Sequence, residues 1–230
     1  MTQLIVFHNP LRTVHLNLSI ALHSSVCKNC HCDQLTYSDV VKYLGILLDS
    51  DMSWNSHISY IASKLRRVAC TLYGLRSFTP PRIRRTILES LGYSVLRYGI
   101  TMFGFCSETR KHKINSILKS CVKSVLYGQA DFDNTEDVFA LCQLPRFENL
   151  LKYTVVLKHF WSYAFKIPNV APRPLRKTRE RFKLPFCFTR YGSFRRKYYV
   201  PLMFNSLPED IFDCVSRSCL KRQLRELYYK

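Results

Sequence analysis

Ile58, Ile61, Leu65, Val68, Leu72 and Leu75 recur at steps of three and four residues, and only one regular structure puts all six on the same side. The spacing predicts an α-helix from Ser53 or Trp54 to Leu75 with a continuous apolar face that other elements must cover. Ser53 is placed to cap its first turn. Pro80 and Pro81 set the start of a second helix, because proline is tolerated at the first helical position. Its buried face is expected to be Ile83, Ile87, Leu88, Leu91 and Val95. A third helix is expected from Glu108 to about Tyr127 through Ile114, Ile117, Leu118, Cys121 and Val125, with Gly128 as its stop. Two more, around Thr135 to Gln143 and Phe147 to Phe165, extend the stack.

Before this helical stretch, residues 4–7, 14–18 and 41–48 are short β-branched or alternating segments separated by turn-forming residues. They predict a small antiparallel sheet. After about residue 166 the composition changes again. Residues 166–197 hold eleven Lys or Arg and one acid, Glu180, and Pro168, Pro172, Pro174 and Pro185 interrupt any long helix. A last helix is expected from Ser216 through Leu220, Leu224 and Leu227. The fold class is therefore α+β, with strands over 1–52, a helical bundle over 53–165, and a basic linker with a C-terminal helix over 166–230.

Thirty-five Lys and Arg stand against sixteen Asp and Glu, a net charge of +19, while 47% of the 230 residues are hydrophobic. A chain of this size and composition can bury a core, so it is not a disordered basic tail. Its natural partner is a polyanion. No apolar run of about eighteen residues or more is present, and the N-terminus lacks a charged region followed by a small-residue cleavage site. A chain that is not secreted and does not enter a membrane is expected, in the cytoplasm or nucleus.

Ten cysteines are scattered through otherwise core-like stretches and read as small buried hydrophobes in a reducing compartment. The one cluster is Cys27, Cys30, His31 and Cys32. A structural zinc site needs four ligands, usually with a second Cys pair further on, and none follows, so no metal is expected here.

Tyr43, Leu44 and Gly45, followed by Asp49, Asp51, Trp54, His57 and the long helix, resemble the segment after the catalytic strands in reverse transcriptases of non-LTR (LINE-type, Jockey-like) retrotransposons. In that family Tyr-Leu-Gly sits in a hairpin called the primer grip, and the helices behind it form the thumb. Two further stretches fit. Tyr98, Gly99, Phe103 and Gly104 resemble a thumb signature, although a buried turn between helices is the plainer and preferred explanation of their apolar character. Pro201, Asn205, Ser206, Leu207 and Pro208 match a family tail motif in which Phe204 replaces a Trp. Thr2, Ile5 and Phe7 match a motif that precedes the hairpin, with Met1 where the family has Lys. The resemblance covers nearly the whole chain and implies a palm-derived sheet, a thumb-like bundle and a truncated, transposon-derived product.

Polymerases of this kind use closely spaced carboxylates to bind two Mg²⁺ ions. The family's Asp-Asp turn is missing from this sequence. Asp49 and Asp51 read as helix-capping residues rather than metal ligands. No glycine-rich phosphate loop, Gly-x-Ser-x-Gly elbow or His-Glu-x-x-His is present. No cofactor is therefore expected in this chain, although the parent enzymes use Mg, and neither catalytic activity nor a small-molecule ligand is expected.

Binding is better represented. Lys42, Tyr43, Leu44 and Gly45 are the primer-grip-like residues, Gly45 either allowing close backbone approach or marking a bulge. Lys64, Arg66 and Arg67, with Arg82, Arg84 and Arg85, can present cations from two successive helices to a duplex backbone, or form solvated basic faces. Arg190, Tyr191, Phe194, Arg195 and Arg196, with Tyr198 and Tyr199 beside them, interleave cations with aromatics that suit unpaired bases, or that pack the segment back on the bundle. The expected partners are RNA and DNA as a template–primer. Two alternatives stay open: a non-catalytic RNA-binding protein derived from a transposon, and a basic helical protein-interaction module.

Overall fold

The computed structural model describes residues 3–9, 20–21, 34–128, 138–164 and 182–229. Their fold is α+β, with two sheets of two strands each followed by a succession of helices. The chain divides into two compact units, Met1–Ser63 and Lys64–Lys230, the division falling inside the first long helix.

In the first unit β1 (Gln3–Leu4) pairs in parallel with β2 (Thr36–Tyr37), and β3 (Val40–Tyr43) pairs antiparallel with β4 (Ile46–Asp49). The expectation of a single antiparallel sheet is thus corrected. Of residues 4–7 only Leu4 is in a strand, and its partner is reached through a long connection, which parallel pairing requires. Residues 14–18 and the cluster Cys27, Cys30 and Cys32 lie outside the described residues, as do Met1 and Thr2. Residues 41–48 lie in the β3–β4 hairpin. Its register, Tyr43 opposite Ile46, leaves Leu44 and Gly45 as a two-residue turn with φ of 46° and 80°. Such turns follow the strand twist only when both central residues have positive φ. Glycine adopts that conformation freely; leucine does so with strain.

Helix α1 (Asn55–Leu75) follows. Asp49 Oδ2 accepts hydrogen bonds from the Ser56 backbone N–H (3.3 Å) and from Ser53 Oγ (3.1 Å), and Asp51 Oδ1 accepts from the Ser53 N–H (2.9 Å). A carboxylate at the positive end of a helix is favourable, and this one satisfies a first-turn donor that no helical carbonyl can reach. Ile58, Ile61, Leu65 and Leu72 are buried, as their spacing predicts.

In the second unit α2 (Pro81–Ile87) runs through a π-helical turn (Leu88–Tyr93) into α3 (Ser94–Arg97). The buried residues are Arg84, Leu88, Gly92, Tyr93 and Leu96, whereas Ile83 and Leu91, expected inside, are exposed. Arg84, Leu88, Gly92 and Leu96 are four apart. On an ideal α-helix each step of four overshoots by about 40°, and the wider π turn takes up that drift.

The chain then turns at Gly99 (φ 71°) into the one-turn α4 (Ile100–Phe103), with Ile100 and Phe103 buried and Tyr98 and Met102 exposed, so residues 98–104 form a half-buried turn between helices. Helix α5 (Glu108–Leu126) ends before Gly128, which has φ of 85°. Next come α6 (Val138–Cys142) and α7 (Phe147–Ala164). Asn115 of α5 caps α7: its Oδ1 accepts from the Phe147 N–H and its Nδ2 donates to Glu148, both at 2.9 Å.

The C-terminal part holds α8 (Arg190–Ser193), α9 (Arg196–Asn205), a 3-10 turn (Glu209–Asp213) and α10 (Arg217–Tyr228). The tail motif has a structural role. Asn205 Oδ1 accepts from the Phe182 N–H (2.7 Å) and its Nδ2 donates to the Phe182 carbonyl (2.8 Å), while Phe204 packs among Phe160, Phe182 and Phe212. Ser216 caps α10 by accepting from the Cys219 N–H at 3.2 Å. Among the described residues no helix is long and apolar enough to cross a membrane.

Candidate nucleic-acid interface

The hairpin tip holds its side chains out. Tyr43 is 64% and Leu44 71% exposed, and Lys42 is exposed on the strand beside them. An exposed leucine in a strained turn position is unusual, because asparagine or aspartate would fit there at less conformational cost.

The cations of the two helices separate. Arg66 and Arg67 on α1 and Arg82 on α2 are exposed, and Lys64 is half-buried. Arg85 is half-buried, in an ion pair with Glu89 (3.4 Å). Arg84 does not belong with them. It is 1% exposed; one guanidinium nitrogen donates to the Arg76 carbonyl and the other to the Tyr127 carbonyl at 2.7 Å. Those two carbonyls stand at the C-terminal ends of α1 and α5, where helices leave acceptors unsatisfied and the helix dipole is negative. Burial pulls the guanidinium pKa down from its ordinary value, yet arginine keeps its charge. Arg84 is a clamp inside the second unit and is withdrawn from the nucleic-acid-facing set.

The basic C-terminal segment is corrected in part as well. Residues 166–181 lie outside the described residues, and Arg190 and Tyr191 enter here only as the first two residues of α8. Phe194 is half-buried with its ring centroid 6.2 Å from that of Phe105, and Tyr199 is buried 4.2 Å from the same ring. These aromatics pack inward because Phe105 offers them apolar surface, while Arg195, Arg196 and Lys197 stay exposed. Among the described side chains of this segment the well-exposed aromatics are Phe186 and Phe188, which the sequence pattern did not single out.

Packing also creates a groove between α1 and α5. Residues of α1 and its C-terminal end (Ala69, Cys70, Tyr73 and Arg76) face Ser120, Lys123, Ser124 and Tyr127 of α5 and its end across a space of about 700 Å³. The Arg76 guanidinium lies 3.4 Å over the Tyr73 ring and 5.2 Å from the Tyr127 ring centroid. Tyr73 is 61% and Tyr127 49% exposed, and no carboxylate is among the described lining residues. Arg84 ties together the backbone at two of these residues, since its two acceptors are the carbonyls of Arg76 and Tyr127. The one sequence signal was spacing: Arg66, Ala69, Cys70, Tyr73 and Arg76 fall on one helical face.

The described residues offer no fitting donor set for the Mg²⁺ ions of the resembling enzymes. Asp49 Oδ2 and Asp51 Oδ1 accept hydrogen bonds around the start of α1, Asp49 Oδ1 is buried without a partner, and no three His, Cys, Asp or Glu among the described residues are grouped to share an ion. Nor do the buried cysteines offer reactive thiols. Burial pushes Cys121 up to about 12 and Cys106 and Cys142 up to about 11, so all three are protonated at neutral pH. Comparison of the chain with protein families, with curated proteins and with solved structures finds no match.

Proposed function

We propose that this chain is the template–primer-holding part of a reverse transcriptase of the non-LTR retrotransposon type, acting by binding rather than by chemistry. The observation that carries this reading is the β3–β4 hairpin, which presents Lys42, Tyr43 and Leu44 to solvent at the cost of a leucine with positive φ. A tip built this way suits a role in which tyrosine and leucine pack on a sugar or base edge while Lys42 meets a phosphate. The net charge of +19 and the exposed Arg66, Arg67 and Arg82 supply the sequence-independent attraction that nucleic-acid binding draws on. Chemistry is not part of the proposal, because two-metal phosphoryl transfer needs a carboxylate pair and Asp49 serves as a helix cap.

The test is to bind the purified chain to an RNA–DNA template–primer duplex across a salt series, then to add nucleotides with Mg²⁺ or Mn²⁺. Neutralising about five phosphates gives a slope of log K against log salt of about −3.5 to −4.5. No extension above a no-protein control is expected. Salt-insensitive binding, or clear template-dependent synthesis, overturns the reading.

A further inference from the structure

The residues lining the α1/α5 groove belong neither to the hairpin nor to the exposed cations assigned above, of which only Arg66 lies on the same face of α1, and the groove's chemistry differs from theirs. It combines two exposed tyrosine rings, a guanidinium lying flat against one of them, and a lysine that no acid opposes among the described lining residues. Its floor is made of small side chains, Ala69, Cys70, Ser120 and Ser124. Each serine hydroxyl is spent on a carbonyl one turn back, Ser120 on Ser116 and Ser124 on Ser120, both at 3.2 Å. With their protons so used, the serine oxygens can serve the groove as acceptors.

We propose that this groove binds an unpaired stretch of nucleic-acid strand. Bases stack on the solvent-facing sides of Tyr73 and Tyr127, and the phosphates between them meet Lys123 and the in-plane N–H groups of Arg76. Three features select this occupant. Flat aromatic rings interleaved with cations are the pairing that unstacked bases and their phosphates need, and it tolerates any base. A guanidinium stacked on a ring keeps its donors in its own plane, free for a phosphate. A duplex, whose bases are already stacked on each other, offers the rings nothing to cover. Arg66 stands on the same face of α1, one turn before Cys70, and extends the cationic path away from the rings.

The proposal rests on the nucleic-acid reading above, and the experiment separates the two. Fluorescence anisotropy with the full chain compares labelled oligouridine and oligothymidine strands with an RNA–DNA duplex, for the native chain and for three variants. The double variant Tyr73→Ala, Tyr127→Ala is expected to lose single-strand affinity by about 10- to 100-fold, with an unchanged salt slope because no charge is removed. Its duplex affinity should stay within about twofold, since the rings serve unstacked bases. The double variant Tyr73→Phe, Tyr127→Phe should keep single-strand affinity, and Lys123→Ala should flatten the single-strand slope by about 0.7. Cys70, exposed in the groove floor, gives an independent readout: single strand should slow its alkylation, measured by peptide mass, and duplex should not.

Equal losses on duplex and single strand, undiminished single-strand binding in the Ala variant, or no protection of Cys70 overturns the groove and leaves the broader reading standing. Competition by polyglutamate as strong as by oligouridine also overturns it and reassigns the groove to an acidic protein segment. A native chain that binds no nucleic acid takes down both. Oligouridine bound more tightly than oligothymidine marks RNA as the strand held, and the reverse marks DNA; either is within the proposal.

Discussion

Arg84 offers the sharpest test of how this bundle is held together, because its removal sets two large and opposed effects against each other. Its guanidinium donates to the carbonyls of Arg76 and Tyr127, residues 43 apart from it in one case and eight in the other. A hydrogen bond from a charged donor is worth about 1.5–3 kcal/mol, so deleting both removes about 3–6 kcal/mol. Two discounts apply. Arg76 is half-buried and Tyr127 exposed, so water can replace part of the lost bonding. The buried charge also carries a desolvation cost of several kcal/mol, raised here by Nε, which has no hydrogen-bond partner. Bonding to two otherwise unsatisfied helix ends should still win. Arg84→Met, which fills the space without polar groups, is expected to cost about 2 kcal/mol. Arg84→Ala adds a cavity, for about 3–4 kcal/mol. Arg84→Lys, which keeps the charge but can reach only one acceptor well, should cost about 1–2 kcal/mol. Urea unfolding followed by helical circular dichroism gives each value, and thermal melting should fall by about 2–4 °C per kcal/mol for a chain of this size. An Arg84→Met protein as stable as the native one would refute the reasoning, since it would show that desolvation, not the bridging of helix ends, dominates.

Three other outcomes follow from named contacts. Leu44→Asn, which suits the left-handed turn position, should raise stability by about 0.5–1 kcal/mol, yet weaken duplex binding in the same anisotropy assay; tighter binding would remove the tip from the interface. His159 is buried, and desolvation first, then the charges of Arg196 and Lys158, hold its pKa below the ordinary 6.5. Between the lowered and the ordinary value the unfolded chain binds more protons, so this contribution is intact above pH 6.5 and is lost as pH falls below it. Urea midpoints measured on either side of that value should therefore differ less in His159→Gln than in the native chain, and an equal difference would exclude the effect. Replacing Arg195 and Arg196 by Ala should flatten the salt slope by about 1.4–1.8, since both are exposed; an unchanged slope would leave them as solvated surface.

Much of the helical framework was legible in the residues themselves. The apolar steps along α1 and α5, Pro81 at the start of α2, Gly128 after α5 and Ser216 before α10 are local signals, and local energetics acts on them whatever the rest of the chain does. Net charge, too, is a property of composition, and the proposal of a polyanionic partner draws on it without reference to the fold.

What the sequence by itself left open was every question about which distant surfaces meet. Arg84 stood in a run of arginines and resembled its neighbours, and only the packing of α2 against the ends of α1 and α5 turned it inward to two unsatisfied carbonyls. Phe194 and Tyr199 alternated with cations as base-stacking residues do, and Phe105, some ninety residues earlier, drew them into the bundle. Tyr73, Arg76 and Tyr127 gave no joint signal, because the fifty-odd residues between the two tyrosines carry no record of which helix ends lie side by side. Periodicity reports which face of an element is buried. What covers that face, and which polar groups become trapped with it, is decided by burial and hydrogen-bond satisfaction across the whole fold, and those are tertiary quantities.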